Sequence, residues 1–131
     1  MHETHHLAHH PASVAVARHR LREALEREGI GESVVYDAML VLSELVSNAV
    51  QHGQPDRHGR LEVCWSLQDE RLVIEVTDGG LTTMPAARPQ DLEADRGRGL
   101  VIVESVCDAW RVDRRDDHTH VVAELVLATA A

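Results

Sequence analysis

The sequence predicts an α/β two-layer sandwich: a mostly antiparallel sheet of four or five strands with three helices on one face. Three observations carry this. Two long segments in the first half repeat apolar residues at helical spacing. Leu61, Val63, Trp65 and Leu67 then alternate with polar residues, and after Asp69-Glu70 so do Leu72, Ile74 and Val76, an antiparallel hairpin. A third apolar helical segment and two further strands follow.

In order, residues 1–10 hold His2, His5, His6, His9 and His10. The expectation is a His-rich, weakly ordered start leading into a short edge strand, because the spacing matches no zinc pattern and no cysteine supports one. Ser13 is the expected N-cap of a helix from Val14 to Glu28, with Ala17, Leu21, Ala24 and Leu25 as its stripe and Gly29 as its stop. His19 reads as an exposed helical histidine. A second helix is expected from Ser33 to His52. Its stripe is Leu42, Leu45, Val46, Ala49 and Val50, and Glu44, Asn48 and His52 recur beside it at i, i+4 and i+8. Gly53, Pro55 and Gly59 break the chain before the hairpin.

The second hairpin strand ends in Thr77-Asp78-Gly79-Gly80. A proline-broken stretch over 81–96, longer than loops usually are, reads as a lid that nucleotide orders. Asp95-Arg-Gly-Arg-Gly99 leads into a helix from Leu100 to Ala109. Strands around Trp110–Arg114 and His120–Leu127 close the chain. One domain over 1–131 is expected.

Composition narrows the function. The net charge of -9 argues against nucleic acid, whose binding rests on phosphate neutralisation, and against anionic membrane surfaces. No uninterrupted apolar run approaches the length of a membrane span, and cytoplasm is the expected location. With 2% aromatics and no Phe, the core must be built from Val, Leu, Ile and Ala. Cys64 and Cys107 read as free thiols, Cys107 in the core.

Three segments carry chemistry. Asp78 at a strand end can accept a hydrogen bond from an exocyclic amine, and the glycines after it let backbone approach a flat ring. Gly97 and Gly99 before a helix suit a phosphate chain, with Arg96 and Arg98 as charged donors. Asn48 can coordinate Mg2+, and Glu44 can take a proton from an attacking hydroxyl.

In order and spacing these segments resemble the Bergerat-fold ATP-binding domains of the GHKL superfamily. Glu44-Leu-Val-Ser-Asn48-Ala-Val-Gln-His52-Gly53 is similar to the N box, Asp78-Gly79-Gly80 to the first glycine box, and Gly97-Arg98-Gly99-Leu100 to the second. Thr119 with the final strand resembles the last box. Thr82 and His118 stand where the pattern usually has glycine. Within the superfamily the wording is most like stand-alone anti-sigma-factor serine/threonine kinases.

That resemblance implies ATP and Mg2+ as cofactors, Glu44 as general base and Asn48 as metal ligand. It implies nucleotide contacts from Asn48, His52, Asp78, Gly80, Gly97, Arg98, Gly99, Leu100 and Thr119. The implied partners are a sigma factor and a small STAS-type anti-anti-sigma protein phosphorylated on serine, with a homodimer possible. Two alternatives stand beside it: a nucleotide-gated binding module without catalysis, and a detached histidine-kinase ATPase domain. The lack of a dimerisation hairpin and H box counts against the second.

Overall fold

Alternating and helical apolar patterns leave each element one face to bury, and here all of those faces meet in one layer between helices and sheet. The computed structural model describes residues 1–79, 102–115 and 117–127. The elements run β1 (His2–Ala8), α1 (Ser13–Arg27), α2 (Glu32–His52), β2 (Arg60–Gln68), β3 (Arg71–Asp78), β4 (Ala109–Arg115) and β5 (His118–Val126). Residues 102–106 are also helical. The five strands form one sheet in the order β1-β2-β3-β5-β4, and every described pair is antiparallel.

The core lies between α1, α2 and one face of the sheet. Leu21 and Leu25 of α1, Leu42, Leu45 and Val46 of α2, Leu61, Val63 and Trp65 of β2, and Leu72, Ile74 and Val76 of β3 are buried there, with Val103. The hairpin closes through Asp69 and Glu70, both at positive φ (51° and 61°), as a two-residue type I′ connection requires. Gly29, at φ 74°, stops α1.

Several expectations are corrected. The expected N-terminal edge strand is present but begins earlier than a short terminal piece would: β1 starts at His2 and pairs along its whole length with β2, from His2↔Ser66 to Ala8↔Arg60. The pairing uses backbone groups that any residue supplies, and Leu7 enters the core. Ser13 is not an N-cap. Ala12 holds that position with helical angles and no side-chain bond, while Ser13 Oγ donates to Ala8 O at 2.6 Å. The helix after residue 101 has ended by Cys107, and β4 already includes Ala109. Cys107 is half-buried at the core margin, where burial pushes its thiol above the ordinary range.

By length and composition α2 is apolar enough to cross a membrane, which a search for uninterrupted apolar runs does not detect. Its stripe is instead taken up by the core, with nine residues buried, Val35, Val41 and Leu42 among them.

Candidate functional site

The last two turns of α2 meet the C-terminal end of β3. Asn48 is 8% exposed, and its Nδ2 has no hydrogen-bond partner among the described residues. An unpaired buried amide is costly, so such a group usually has a partner supplied from elsewhere. Glu44 and His52, one turn to either side, are half-buried. The helix face read from the sequence is therefore graded, with its buried member in the middle.

Asp78 continues the alternation Leu72, Ile74, Val76, which turns its side chain toward the helices. It is 3% exposed, and its antiparallel partner Thr119 is 4% exposed. Thr119 follows the same rule, in phase with Val121, Ala123 and Leu125 of β5. Asp78 and Thr119, two of the expected nucleotide contacts, are thus neighbours on one sheet face.

Gly53 and Gly79 make this meeting possible. A Cβ on Gly53 would lie 2.0 Å from Asp78 Oδ2 and 2.7 Å from Ala49 O. A Cβ on Gly79 would lie 2.1 Å from Pro55 O, and Gly79 N donates to Gln54 O at 2.6 Å. Gly79 thus makes a close approach to the chain's own backbone, a requirement for glycine additional to the one expected from the sequence. Sequence reasoning also missed the clearance role of Gly53; the signal was a glycine at the end of the same helix that carries Asn48.

The loop after α2 is tightly built. Asp56 Oδ1 accepts the backbone N–H groups of Arg60 (2.9 Å) and His58 (2.8 Å), and the Arg60 amide foremost holds its carboxyl below the usual carboxylate range. With Gly79 and the Asp117-His118 turn this loop lines a cleft of about 620 Å3, whose rim carries Arg57, His58 and His118. On the other sheet face, Thr77 Oγ1 and His120 Nδ1 are 2.9 Å apart, next to the Asp78–Thr119 pair.

The structure thus brings Gly53, Asp78 and Thr119 together, with Glu44, Asn48 and His52 on the helix that ends at Gly53. Gly80, Gly97, Arg98, Gly99 and Leu100, and the stretch 81–96, lie outside the described residues.

Known proteins resemble this chain in sequence and in fold. The chain is 33% identical to the anti-sigma F factor of Clostridium acetobutylicum, in a match covering 59% of each; it thus spans about three fifths of that relative. It is 26% identical to the serine-protein kinase RsbW of Bacillus subtilis, over 83% of this chain and 76% of the relative. Among solved structures, the RsbU and RsbW domains of a Mycobacterium tuberculosis protein superpose with a TM-score of 0.75 at 23% identity, over 98% of this chain and 34% of that one. The SiaB–SiaC complex of Pseudomonas aeruginosa gives 0.65 at 15% identity, over 94% and 88%. These likenesses establish the fold. The family model of the histidine kinase-like ATPase domain matches residues 7–125. With the helix–strand junction of that site in place and the match running over most of its length, this chain belongs to the histidine kinase-like ATPase domain family.

Proposed function

We propose that this chain is an ATP- and Mg2+-dependent serine kinase that also acts as an anti-sigma factor. It would alternate between a sigma factor and a small STAS-type anti-anti-sigma protein, in the cytoplasm. The observation that carries the reading is the junction itself: a buried carboxylate at a strand end beside a buried threonine, and a buried carboxamide whose nitrogen lacks a partner among the described residues. Relatives named as an anti-sigma factor and as a serine-protein kinase support it.

In this reading Asp78 accepts the exocyclic amine of adenine, and Thr119 holds the ring with a hydroxyl that can donate or accept. Asn48 fits Mg2+ through its Oδ1, a neutral hard oxygen, while its buried Nδ2, a donor unpaired among the described residues, is left for an acceptor and not for the metal. When bound, the metal neutralises charge on the phosphates. Gly97, Arg98, Gly99 and Leu100 hold the phosphate chain, and Gly80 and His52 border the nucleotide. Glu44, half-buried one turn before Asn48, receives the proton of the attacking serine hydroxyl.

Calorimetry with Mg-ATP, followed by single-turnover transfer to candidate acceptor proteins from the native cell, tests this. Binding is expected, and Asp78→Asn should weaken it roughly 10- to 100-fold, the cost of replacing a charged acceptor by an amide that can turn a donor toward the adenine amine. Absence of nucleotide binding rejects the reading. Binding without transfer to any acceptor replaces the kinase with a nucleotide-gated binding module.

A further inference from the structure

We infer that His9 is a positioning residue for the nucleotide end of α2, an inference that rests on the nucleotide reading above. Leaving β1, the chain makes a tight turn: His10 N donates to Ala8 O (2.8 Å), Ser13 N to His10 O (2.9 Å), and Ser13 Oγ to Ala8 O (2.6 Å). The His9 N–H donates to Gly59 O at 3.1 Å, which ties this turn to the loop entering β2. His9 is thereby held, half-buried, with its ring against α2, and its Nε2 lies 2.9 Å from Ala49 O. A carbonyl oxygen only accepts, so Nε2 carries the proton whichever charge the ring has.

Ala49 O is the pivot of the candidate site. It accepts the Gly53 N–H at 3.0 Å, the bond that closes the last turn of α2. Asn48 precedes it, and Gly53 sets its Cα against the Asp78 carboxylate. His9 therefore supplies a second donor to the one carbonyl through which the final turn is closed. A donor ring at this place also suits the partial negative charge that collects on the last carbonyls of a helix. The neighbouring histidine does something else: His10 Nδ1 accepts the Ala12 N–H. A turn held before the nucleotide arrives need not be ordered by it, so loss of the clamp should appear as weaker binding.

The test compares His9→Leu, which removes the donor, with His9→Gln, whose side-chain amide can donate to the same carbonyl. Two quantities are measured on the whole chain: Mg-ATP affinity by calorimetry, and amide exchange at Gly53 in nucleotide-free protein. His9→Leu should raise the dissociation constant roughly 3- to 10-fold, the worth of one neutral hydrogen bond, and speed exchange at Gly53 while the β3 amides keep their rates. His9→Gln should return both to within about twofold of the parent. The positioning role alone is overturned if the parent binds nucleotide and His9→Leu binds it equally well. It is also overturned if His9→Gln fails like His9→Leu, or if Gly53 exchange does not change. A parent that binds no nucleotide overturns the underlying reading and this inference with it.

Discussion

Gly53 and Asp78 touch at a point where a methyl group has no room. Backbone strain is not the reason for glycine there, since its φ of -88° is open to any residue; the reason is the 2.0 Å between a built Cβ and Asp78 Oδ2. The other obstruction, Ala49 O, is backbone and cannot swing away. Gly53→Ala should therefore cost about 1–3 kcal/mol of stability through overpacking and weaken ATP binding by displacing the carboxylate. Urea denaturation and calorimetry check this, and a variant unchanged in both would show that the turn relaxes freely. Asn48 and Glu44 lie one turn apart, yet their substitutions should differ. Asn48→Ala should reduce both Mg-ATP binding and transfer. Glu44→Ala should leave binding nearly intact and lower single-turnover transfer roughly a hundredfold or more, the usual contribution of a general base. Joint loss of binding in both variants would take Glu44 out of the base role.

Among the elements, β1 shows most clearly how a composition that does not look like a strand becomes one. Its seven residues pair with β2, and Leu7, 6% exposed, is its buried anchor. His5 lies against Trp65 with ring centroids 4.7 Å apart, while Glu3 receives Arg27 from α1 at 2.9 Å. Exposed pairs of the latter kind contribute little, so the strand is held mainly by backbone pairing and Leu7. Leu7→Ala should cost about 2–3 kcal/mol. His6→Ala should cost under about 0.5 kcal/mol, because that ring stands on the exposed side of the same strand. The two urea midpoints separate these outcomes; equal midpoints would mean that β1 contributes no core contact.

For the whole molecule, binding at the α2–β3 junction should be readable as stability. The junction joins the longest helix to the middle strand of the sheet, so a ligand there binds only the assembled fold. Mg-ATP at about 100 times its dissociation constant should add about 2.7 kcal/mol. For a chain of this size that is a rise of roughly 5–10 °C in the unfolding midpoint. Differential scanning fluorimetry measures it, and Asp78→Asn at the same nucleotide concentration should show a much smaller rise. An equal rise in the variant would place the bound nucleotide elsewhere.

The sequence by itself determined α1, α2, the β2–β3 hairpin and the closing strands, because each is written in a local period of apolar residues that survives without its neighbours. It also pointed to Asn48, Asp78 and Thr119, through motif spacing along the chain. Tertiary structure alone decided that Asp78 and Thr119 stand side by side, since that depends on the register of β3 against β5. It decided that the expected N-terminal edge strand extends over residues 2–8, because β2 supplies the backbone partners along that whole length. It decided, too, that Ser13 serves the end of β1 rather than the start of α1, and that Gly53 must lack a side chain. These are contacts between segments far apart in the chain. Periodicity describes which face of an element is buried, and it carries no record of which atom of another element will lie against it.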